Sequence, residues 1–376
     1  RSPTPSPIDS SDIPANSIDA SKIIDGAIAV ADVADNTITE AKIADAAVVS
    51  LKSGRKNLII NGGFDVWQRG TPRVTTEYCA DRWMVWSTNA GVTNRTVTAT
   101  KGTGSIAGLG YKAKYTSFSF GTVDTGIEKL AWGQKIEASS LNNINVGDSL
   151  TLSYYIKKEQ SMPTDNSFYT RILTPSPSGT DAWAAGYLWQ NDETIAATLN
   201  TTTFNSLSTS WTKVSHTFTA TATMISDGMA VYWHVGDNNM NVTSTSALVS
   251  FTGVQLELGS VATDFEHRSY GEELALCKRY YQLNGYTYAV WVDSTGIRFA
   301  NPFDIEMRAA PTATLSGLAN YHEYINISGY NGFSSLTSWS TKEGANIKLI
   351  SSAVSDRLHG QAGLVHSNCV AFDAEL

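Results

Sequence analysis

Residues 57–70, NLIINGGFDVWQRG, join a short apolar segment to a Gly-Gly turn and then to the aromatic side chains Phe64 and Trp67. The chain before Asn57 contains no aromatic residue, whereas the chain after it is rich in Trp, Tyr and Phe. Large aromatic side chains dominate the cores of globular domains. A domain with its own core is therefore predicted to begin at Asn57.

The composition restricts the possible functions. The chain has 376 residues, of which 42% are hydrophobic and 10% aromatic, which is enough for two or three domains with real cores. A formal net charge of −8 and the lack of a basic stripe argue against a nucleic-acid partner. The apolar runs are too short to cross a bilayer, so we expect no membrane insertion.

The cysteines and histidines form no metal-binding pattern. Cys79, Cys277 and Cys369 stand far apart and outside any CxxC spacing. This arrangement predicts buried thiols in a protein made in a reducing cytoplasm, not a disulfide framework or a zinc site. The six histidines are also spread singly, without the short spacing typical of metal ligands.

An apolar residue returns at every fifth position in the first region, residues 1–56. The series is Ile8, Ile13, Ile18, Ile23, Ile28, Val33, Ile38, Ile43 and Val48. The segments DIPANSIDASKI (12–23) and DVADNTITEAKI (32–43) also match after a shift of twenty residues. Such self-similarity indicates a repetitive architecture.

The five-residue period fits neither an α-helix nor a flat strand, because five residues advance an α-helix by about 140° and a strand alternates every two residues. A single-chain pentapeptide solenoid would have only about two coils, fewer than stacked repeats need. We favour a stalk of three chains, and a flexible linker is the alternative. The predicted trimer-axis residues are Ile13, Ile18, Ile23, Ile28, Val33, Ile38, Ile43 and Val48.

Residues 57–270 contain short predicted strands separated by turns rich in Gly, Asn, Asp and Ser. The segments are NLIING, DRWMVWS, YKAKYTSFSF, SLTLSYYIKK, AGYLWQ, WTKVSHTFTA, GMAVYWHV and LVSFTGVQLEL. Several of them alternate polar and apolar residues, as SLTLSYYIKK (149–158) does. Alternation of this kind predicts a mostly β protein with a β-sandwich in this region.

Residues 271–376 are predicted to form a short helix followed by a smaller C-terminal β-domain. GEELALCKRYYQ (271–282) is the expected helix, and Arg279, Tyr280 and Tyr281 are expected to pack at the junction. Two strand-like runs follow, and Pro311 in RAAP is expected to end an edge strand because proline cannot donate to a ladder.

Five segments together resemble the jelly-roll domain of phage tail-fibre and related virion proteins, which is itself similar to jelly-roll carbohydrate-binding modules. They are NLIINGGFDVWQRG, ADRWMVW, SLTLSYYIKK, SWTKVSHTFTAT and VQLELGSVATDFEHRSYGEELALCKRYYQ. The resemblance covers residues 57–282. An Ala- and Ile-rich repetitive stalk before such a domain also resembles phage fibres.

The resemblance implies a homotrimeric, non-enzymatic adhesin. We expect the smaller C-terminal β-domain to lie at the tip distal to the stalk. Jelly-roll carbohydrate modules often join their first and last strands through a structural calcium. Asp65 and Asp264 fall near those strands, so the resemblance makes them candidate calcium ligands, although Asp65 could instead cap the Gly-Gly turn. We expect no other cofactor.

No set of catalytic residues stands out. Glu272 and Glu273 are adjacent carboxylates, but neighbours on a helix point about 100° apart and do not flank one bond as a glycosidase pair does. A solvated helix start is expected there. The sequence contains no GxSxG, GxGxxG or P-loop motif, so we expect no enzymatic activity.

Sugar rings stack on Trp and Tyr, so exposed aromatic side chains beside hydrogen-bonding groups are the expected ligand site. Trp67, Trp83 and Trp211 are expected to be core residues. Two aromatic clusters remain, and a place in the core is an evenly weighted alternative for both. The candidate ligand-binding residues are Tyr330, Phe333 and Trp339 in the C-terminal domain and Trp183, Tyr187 and Trp189 in the jelly roll.

Together these features favour a trimeric phage fibre or spike subunit. Its expected partners are other virion or tail proteins at the N-terminus and host-surface polysaccharide at the distal end, bound by multivalency. The alternative is a structural virion protein, such as a head decoration or head fibre, without a dedicated ligand. A depolymerase would require a paired-acid site, which the sequence does not reveal.

Overall fold

The computed structural model describes most of the chain after residue 55. The described ranges are 56–71, 73–75, 78–89, 97–120, 124–163, 166–183, 193–236, 240–242, 245–285, 287–293, 296–315, 321–322, 335–350, 362–365 and 369–375. All of them belong to one compact unit, Ser53–Leu376, which is separate from Arg1–Lys52. The predicted stalk therefore lies outside the described residues.

The first part of this unit is built from strands joined by turns and one short helix. The strands are β1 (Arg73–Thr75), β2 (Met84–Asn89), β3 (Val97–Ile106), β4 (Gly110–Phe120), β5 (Asp124–Ile136), β6 (Ser149–Lys158), β7 (Ser167–Pro175), β8 (Glu193–Thr203), β9 (Thr212–Thr219), β10 (Met229–Val235), β11 (Met240–Val242) and β12 (Val249–Leu258). The α-helix is α1 (Ala222–Asp227), and 3-10 turns occupy Ala138–Leu141 and Phe204–Ser206.

The strands form two antiparallel sheets. Sheet 1 has the order β1-β3-β4-β12-β6-β9, and sheet 2 has the order β11-β5-β10-β7-β8 with β2 also paired to β5. Along the chain, β4, β6, β9 and β12 belong to sheet 1, whereas β5, β7, β8 and β10 belong to sheet 2. This repeated crossing, with β4-β12-β6-β9 facing β5-β10-β7-β8, is the strand order of a jelly roll.

Aromatic side chains fill the space between the two sheets. Trp83, Trp132 and Trp233 are almost completely buried, and the Trp233 ring meets Phe251 edge-on with centroids 4.7 Å apart. Trp83 stacks on Phe64 at a centroid distance of 4.8 Å. The onset of aromatic residues at Asn57 therefore does mark the start of a core. The mostly β fold and the β-sandwich predicted from alternation are confirmed.

Two of the three tryptophans expected in the core lie at its margin. Trp67 is half-buried and donates its indole N–H to the carbonyl of Phe64 at 2.9 Å. Trp211 packs on the outer side of sheet 1, where its ring meets Tyr115 edge-on at 5.3 Å. The position of Trp211 follows from its place in the turn before β9.

The segment NLIING is not a strand, although its composition predicted one. The Ile59 N–H donates to Asn57 Oδ1 at 3.0 Å, and the Ile60 N–H donates to Gln134 Oε1 at 2.9 Å. Side-chain oxygens thus accept the hydrogen bonds of these two backbone N–H groups, which in a sheet would donate to the carbonyls of a neighbouring strand. Ile59 is still fully buried in the sandwich core.

The C-terminal part begins with helix α2 (Tyr270–Lys278), which overlaps the predicted helix 271–282 but is shorter, because Tyr281 and Gln282 lie in a strand instead. Ser269 and Glu272 form a capping box at its start. The strands that follow are β13 (Tyr281–Leu283), β14 (Thr287–Trp291), β15 (Gly296–Pro302), β16 (Thr312–Leu315), β17 (Tyr321–His322), β18 (Ser335–Ser340), β19 (Gly344–Ile350), β20 (Ala362–Val365) and β21 (Val370–Asp373).

These strands form two sheets around a second core. The smaller sheet has the order β13-β21-β16, and the larger has the order β17-β20-β14-β15-β19-β18. Trp291, Ile347 and Phe372 are fully buried between them. Pro311 precedes the edge strand β16 instead of ending a strand, which corrects our expectation. Proline is tolerated there because the ladder needs no N–H before the strand begins.

Two arginines of the sandwich join it to the C-terminal part. The guanidinium carbon of Arg82 lies 3.5 Å from the ring centroid of Tyr280, and the Arg82 guanidinium pairs with Glu375. The Arg69 guanidinium carbon lies 3.7 Å from the ring centroid of Tyr281. The expected packing of both tyrosines at the junction is confirmed. In the described parts of the chain, no helix is long and apolar enough to cross a bilayer.

Candidate functional site

The larger C-terminal sheet buries one face and leaves the other in solvent. Along β15 and β19 the buried residues Ile297, Phe299, Ile347 and Leu349 alternate with exposed or half-exposed ones. An antiparallel sheet with one solvated face shows this alternation. We call the solvated side the open face. Its members are Tyr288, Val290, Arg298, Thr337, Trp339, Asn346 and Lys348.

Two aromatic side chains stand on the open face. Trp339 on the edge strand β18 is 59% exposed, and Tyr288 on β14 is 86% exposed. The strand order β14-β15-β19-β18 places three inter-strand spacings between them, roughly 14 Å. A flat ligand that lies across the strands could therefore contact both rings.

Polar side chains occupy the strands between the two rings. Strand pairing sets Arg298 opposite Lys348 and Lys348 opposite Thr337, and it sets Asn346 directly opposite Trp339. The guanidinium carbon of Arg298 lies 5.5 Å from the centroid of the Trp339 ring. This contact is within the range of a cation–π interaction and holds Arg298 beside the ring.

One carboxylate approaches the open face. Lys348 Nζ lies 2.5 Å from Asp293 Oδ2, and both side chains are partly exposed. The pair adds a carboxylate acceptor to a surface whose other charged groups, Arg298 and Lys348, are donors. An aromatic ring face flanked by donors and acceptors suits a polyhydroxylated ring, whose C–H faces stack while its hydroxyl groups form hydrogen bonds.

The structure describes one of the three ligand-binding residues predicted for the C-terminal domain. Trp339 is exposed, as a ligand-binding role requires, whereas Tyr330 and Phe333 lie outside the described residues. Sequence reasoning missed Tyr288 and Arg298. A signal for both was present, because each alternates with buried residues along its own strand and so must face away from the core.

The competing cluster in the jelly roll is described at one residue only. Trp183 is half-buried and packs against the outer side of sheet 2 near Tyr232, with Lys135 Nζ 5.5 Å from its ring centroid. Tyr187 and Trp189 lie outside the described residues. Trp183 is thus partly a packing residue, and the predicted three-residue site stays a prediction.

The candidate calcium ligands occupy different surroundings. The Asp65 carboxylate is partly buried, and burial raises its pKa although Lys101, Lys114 and His267 act in the opposite direction. Asp264 is exposed, and its backbone carbonyl accepts a hydrogen bond from Lys56 Nζ at 2.6 Å. Within the described residues, no group of three or more His, Cys, Asp or Glu side chains could hold a metal ion. Calcium binding stays a prediction.

The adjacent glutamates have structural roles. Glu272 accepts from the Ser269 backbone N–H at 2.9 Å in the capping box. Glu273 is buried, contrary to the expected solvated position, and it accepts from the Asn61 N–H at 2.6 Å and pairs with Arg268 at 3.3 Å. The burial of Glu273 follows from the packing of α2 against the Gly-Gly turn region.

All three cysteines are buried free thiols, as predicted. Burial raises the pKa of the Cys79 thiol to about 12 and raises that of Cys277 well above its usual value. Thiols in such surroundings are poor nucleophiles and poor metal ligands because the thiolate is disfavoured.

Comparison with known proteins gives weak likenesses only. No protein-family model and no curated protein matches the sequence. Among solved structures, the enzymatically active domain of tailspike protein 4 of bacteriophage CBA120 is 12% identical with a TM-score of 0.33, over 54% of this chain and 21% of that one. This chain therefore spans about a fifth of the tailspike chain's length.

Two further solved structures are similar over their full length. A Stig cyclase from Fischerella sp. TAU is 14% identical with a TM-score of 0.33, and the match covers 56% of this chain and 100% of that one. The CBM22-1 xylan-binding domain of Xyn10C from Paenibacillus barcinonensis is 10% identical with a TM-score of 0.27, over 56% and 100% of the two chains. These solved structures thus include both enzymes and a binding domain.

Proposed function

We propose that this protein is a non-enzymatic, trimeric subunit of a phage fibre or spike that binds a host-surface glycan through the open face. The observation that carries the proposal is the pairing of exposed Trp339 with Arg298 beside it and Tyr288 three strands away. A ligand that covers an exposed aromatic ring removes apolar surface from water, and sugar rings with apolar C–H faces are suitable ligands.

Trimerisation would increase the strength of this binding. The five-residue period of the N-terminal region supports an oligomeric stalk with Ile13 to Val48 near its axis. Three weak sites on one stalk bind a repetitive polysaccharide more tightly than one site does, because the second and third contacts are intramolecular. On this proposal, the N-terminus attaches to other virion or tail proteins and the C-terminal domain faces the host.

The decisive experiment compares the removal of two solvent-exposed aromatic rings. Trp339→Ala removes the proposed stacking ring, and Tyr111→Ala removes a ring that is 88% exposed near the start of β4 in the sandwich. Losing one stacking contact costs roughly 1–3 kcal/mol per site, by analogy with base stacking. We expect Trp339→Ala to nearly abolish adsorption to host cells and Tyr111→Ala to leave it unchanged, with equal melting temperatures.

Other outcomes would change the proposal. If adsorption survives Trp339→Ala but is lost in Trp189→Ala, the glycan site belongs to the jelly roll. If neither variant affects adsorption, the structural virion protein without a dedicated ligand is the better account. Release of reducing ends from host polysaccharide by the purified protein would show that it is an enzyme.

A further inference from the structure

A cleft of about 220 Å³ opens on the sandwich, and none of its lining residues belongs to the open face. Its walls come from the turn after Gly63, from the start of β4, from the middle of β12 and from the segment that follows β12. The residues used below are Asp65, Lys112, Lys114, Gly253, Phe265 and His267. Among these residues, only Asp65 has a ligand expected from the sequence, namely calcium.

The backbone around the cleft keeps the space open. Strand β12 changes register between Thr252 and Gln255, and Gly253 in this irregular stretch has a φ of +60°. A Cβ on Gly253 would lie 2.8 Å from the side chain of Leu109. A Cβ on Gly63 would lie 3.0 Å from Asp65 Oδ2. Residues with side chains at these positions would crowd the wall of the cleft.

Positive charge predominates in the cleft. Lys112 and Lys114 line it together with the His267 ring, and Asp65 is the one carboxylate among its described lining residues. Lys114 Nζ is held at the rim by Thr103 Oγ1 at 3.1 Å. Lys101 stands beside it and donates to the carbonyl of Asp65 at 2.6 Å. The excess of cationic groups favours an anionic ligand.

The cleft also has an apolar wall. The Phe265 ring lines it and meets the His267 ring edge-on, with centroids 5.0 Å apart. An aromatic ring held in this way offers a flat surface to the C–H face of a sugar. The volume is below the roughly 300–1,000 Å³ of sites for drug-sized ligands, so it suits a single ring.

We propose that this cleft binds one carboxylate-bearing sugar unit, such as a uronic acid residue of an acidic polysaccharide. Phe265 contacts the ring face, Asp65 accepts hydrogen bonds from ring hydroxyl groups, and Lys112, Lys114 and His267 hold the carboxylate. This site is on the sandwich and is separate from the open face, so the two can be tested independently.

The test measures binding of glucuronate, glucose and acetate to the full chain by titration calorimetry at low salt. We expect glucuronate to bind at least about tenfold more tightly than glucose, since only the former carries the charge, and more tightly than acetate, which lacks the ring. Binding should weaken as salt is added because the lysines are partly exposed. If glucose binds as tightly as glucuronate, the lysines do not hold a carboxylate. If acetate binds as tightly as glucuronate, Phe265 does not contact a sugar ring.

Variants locate the binding site. Lys112 is exposed, so Lys112→Glu should fold normally and reduce glucuronate affinity at least about tenfold, whereas Lys112→Arg should retain it. Lys213→Glu makes the same charge change at an exposed site on β9, outside the cleft, and should leave binding unchanged. Trp339→Ala should also leave it unchanged. Absence of glucuronate binding, or equal loss in the two glutamate variants, would overturn the proposal.

Discussion

The guanidinium carbon of Arg82 lies over the ring of Tyr280, 3.5 Å from the ring centroid, and this contact joins the sandwich to the C-terminal part. The same guanidinium pairs with Glu375, two residues after the last strand. Both charged side chains are almost completely buried. A buried ion pair of this kind is weak evidence for stability, but removing one partner is costly.

Replacing Arg82 with Met should strongly destabilise the protein. The substitution leaves the Glu375 carboxylate buried with only the longer contact to Arg69 at 3.4 Å, and breaking a buried pair costs about 3–5 kcal/mol. Urea unfolding measures the loss. Lys342→Met, at an exposed position, is the control and should be neutral. Adding Glu375→Gln to Arg82→Met should recover part of the stability, and no loss in the single variant would contradict this account.

A second contact across the junction should make stability depend on pH. Burial acts to raise the pKa of Glu137, but hydrogen bonds from Ser139 and Arg279 outweigh it, so the pKa is lower than in the unfolded chain. A carboxyl group whose pKa is lower in the folded protein stabilises the fold at pH values above its pKa in the unfolded chain, about 4.5. This stabilisation is lost as the pH falls through the pKa of the folded protein.

Thermal melting of the wild-type protein and of Glu137→Gln from neutral to acidic pH tests whether the pKa of Glu137 is lowered by folding. The difference in melting temperature between the two proteins should be largest near neutral pH and should shrink below about pH 4.5. The other carboxylates are the same in both proteins, so their protonation does not contribute to this difference. A difference that grows as the pH falls would show that the Glu137 pKa is raised instead.

Gly253 should tolerate no side chain. Its φ of +60° and the 2.8 Å approach of Leu109 predict that Gly253→Ala lowers the free energy of unfolding by about 1–3 kcal/mol. Gly271 in helix α2 is the matched control, because a Cβ there meets no atom within 4 Å. Gly271→Ala should be neutral or stabilising by up to about 1 kcal/mol, as alanine favours helices. Urea unfolding distinguishes the two, and equal effects would argue against strain at Gly253.

The predicted stalk can be tested by charge placement. Ile23→Asp together with Ile43→Asp would put carboxylates into the proposed apolar axis, which is costly without partners, so the trimer should dissociate. Ser21→Asp together with Ala41→Asp adds the same charge two residues away from the period and should leave the trimer intact. Sedimentation velocity reports the oligomeric state. A wild-type monomer, or a trimer in both double variants, would rule out this axis.

Local patterns were sufficient for much of the fold. The alternation in SLTLSYYIKK predicts a strand with Leu150, Leu152 and Tyr154 inside, and all three are buried. The onset of aromatic residues predicts where the core begins, and the start of α2 is marked by the capping residues Ser269 and Glu272. These features depend on residues close together in the chain, so the sequence by itself determined them.

Contacts between distant segments were decided by the tertiary structure. NLIING is no strand because Gln134, far along the chain, takes the N–H of Ile60. Glu273 is buried because α2 meets the backbone N–H of Asn61. The open face brings Trp339 to Arg298 only through the pairing of β15 with β19 and of β19 with β18. Strand order and register across loops depend on the balance of packing in the whole domain, which no local pattern specifies.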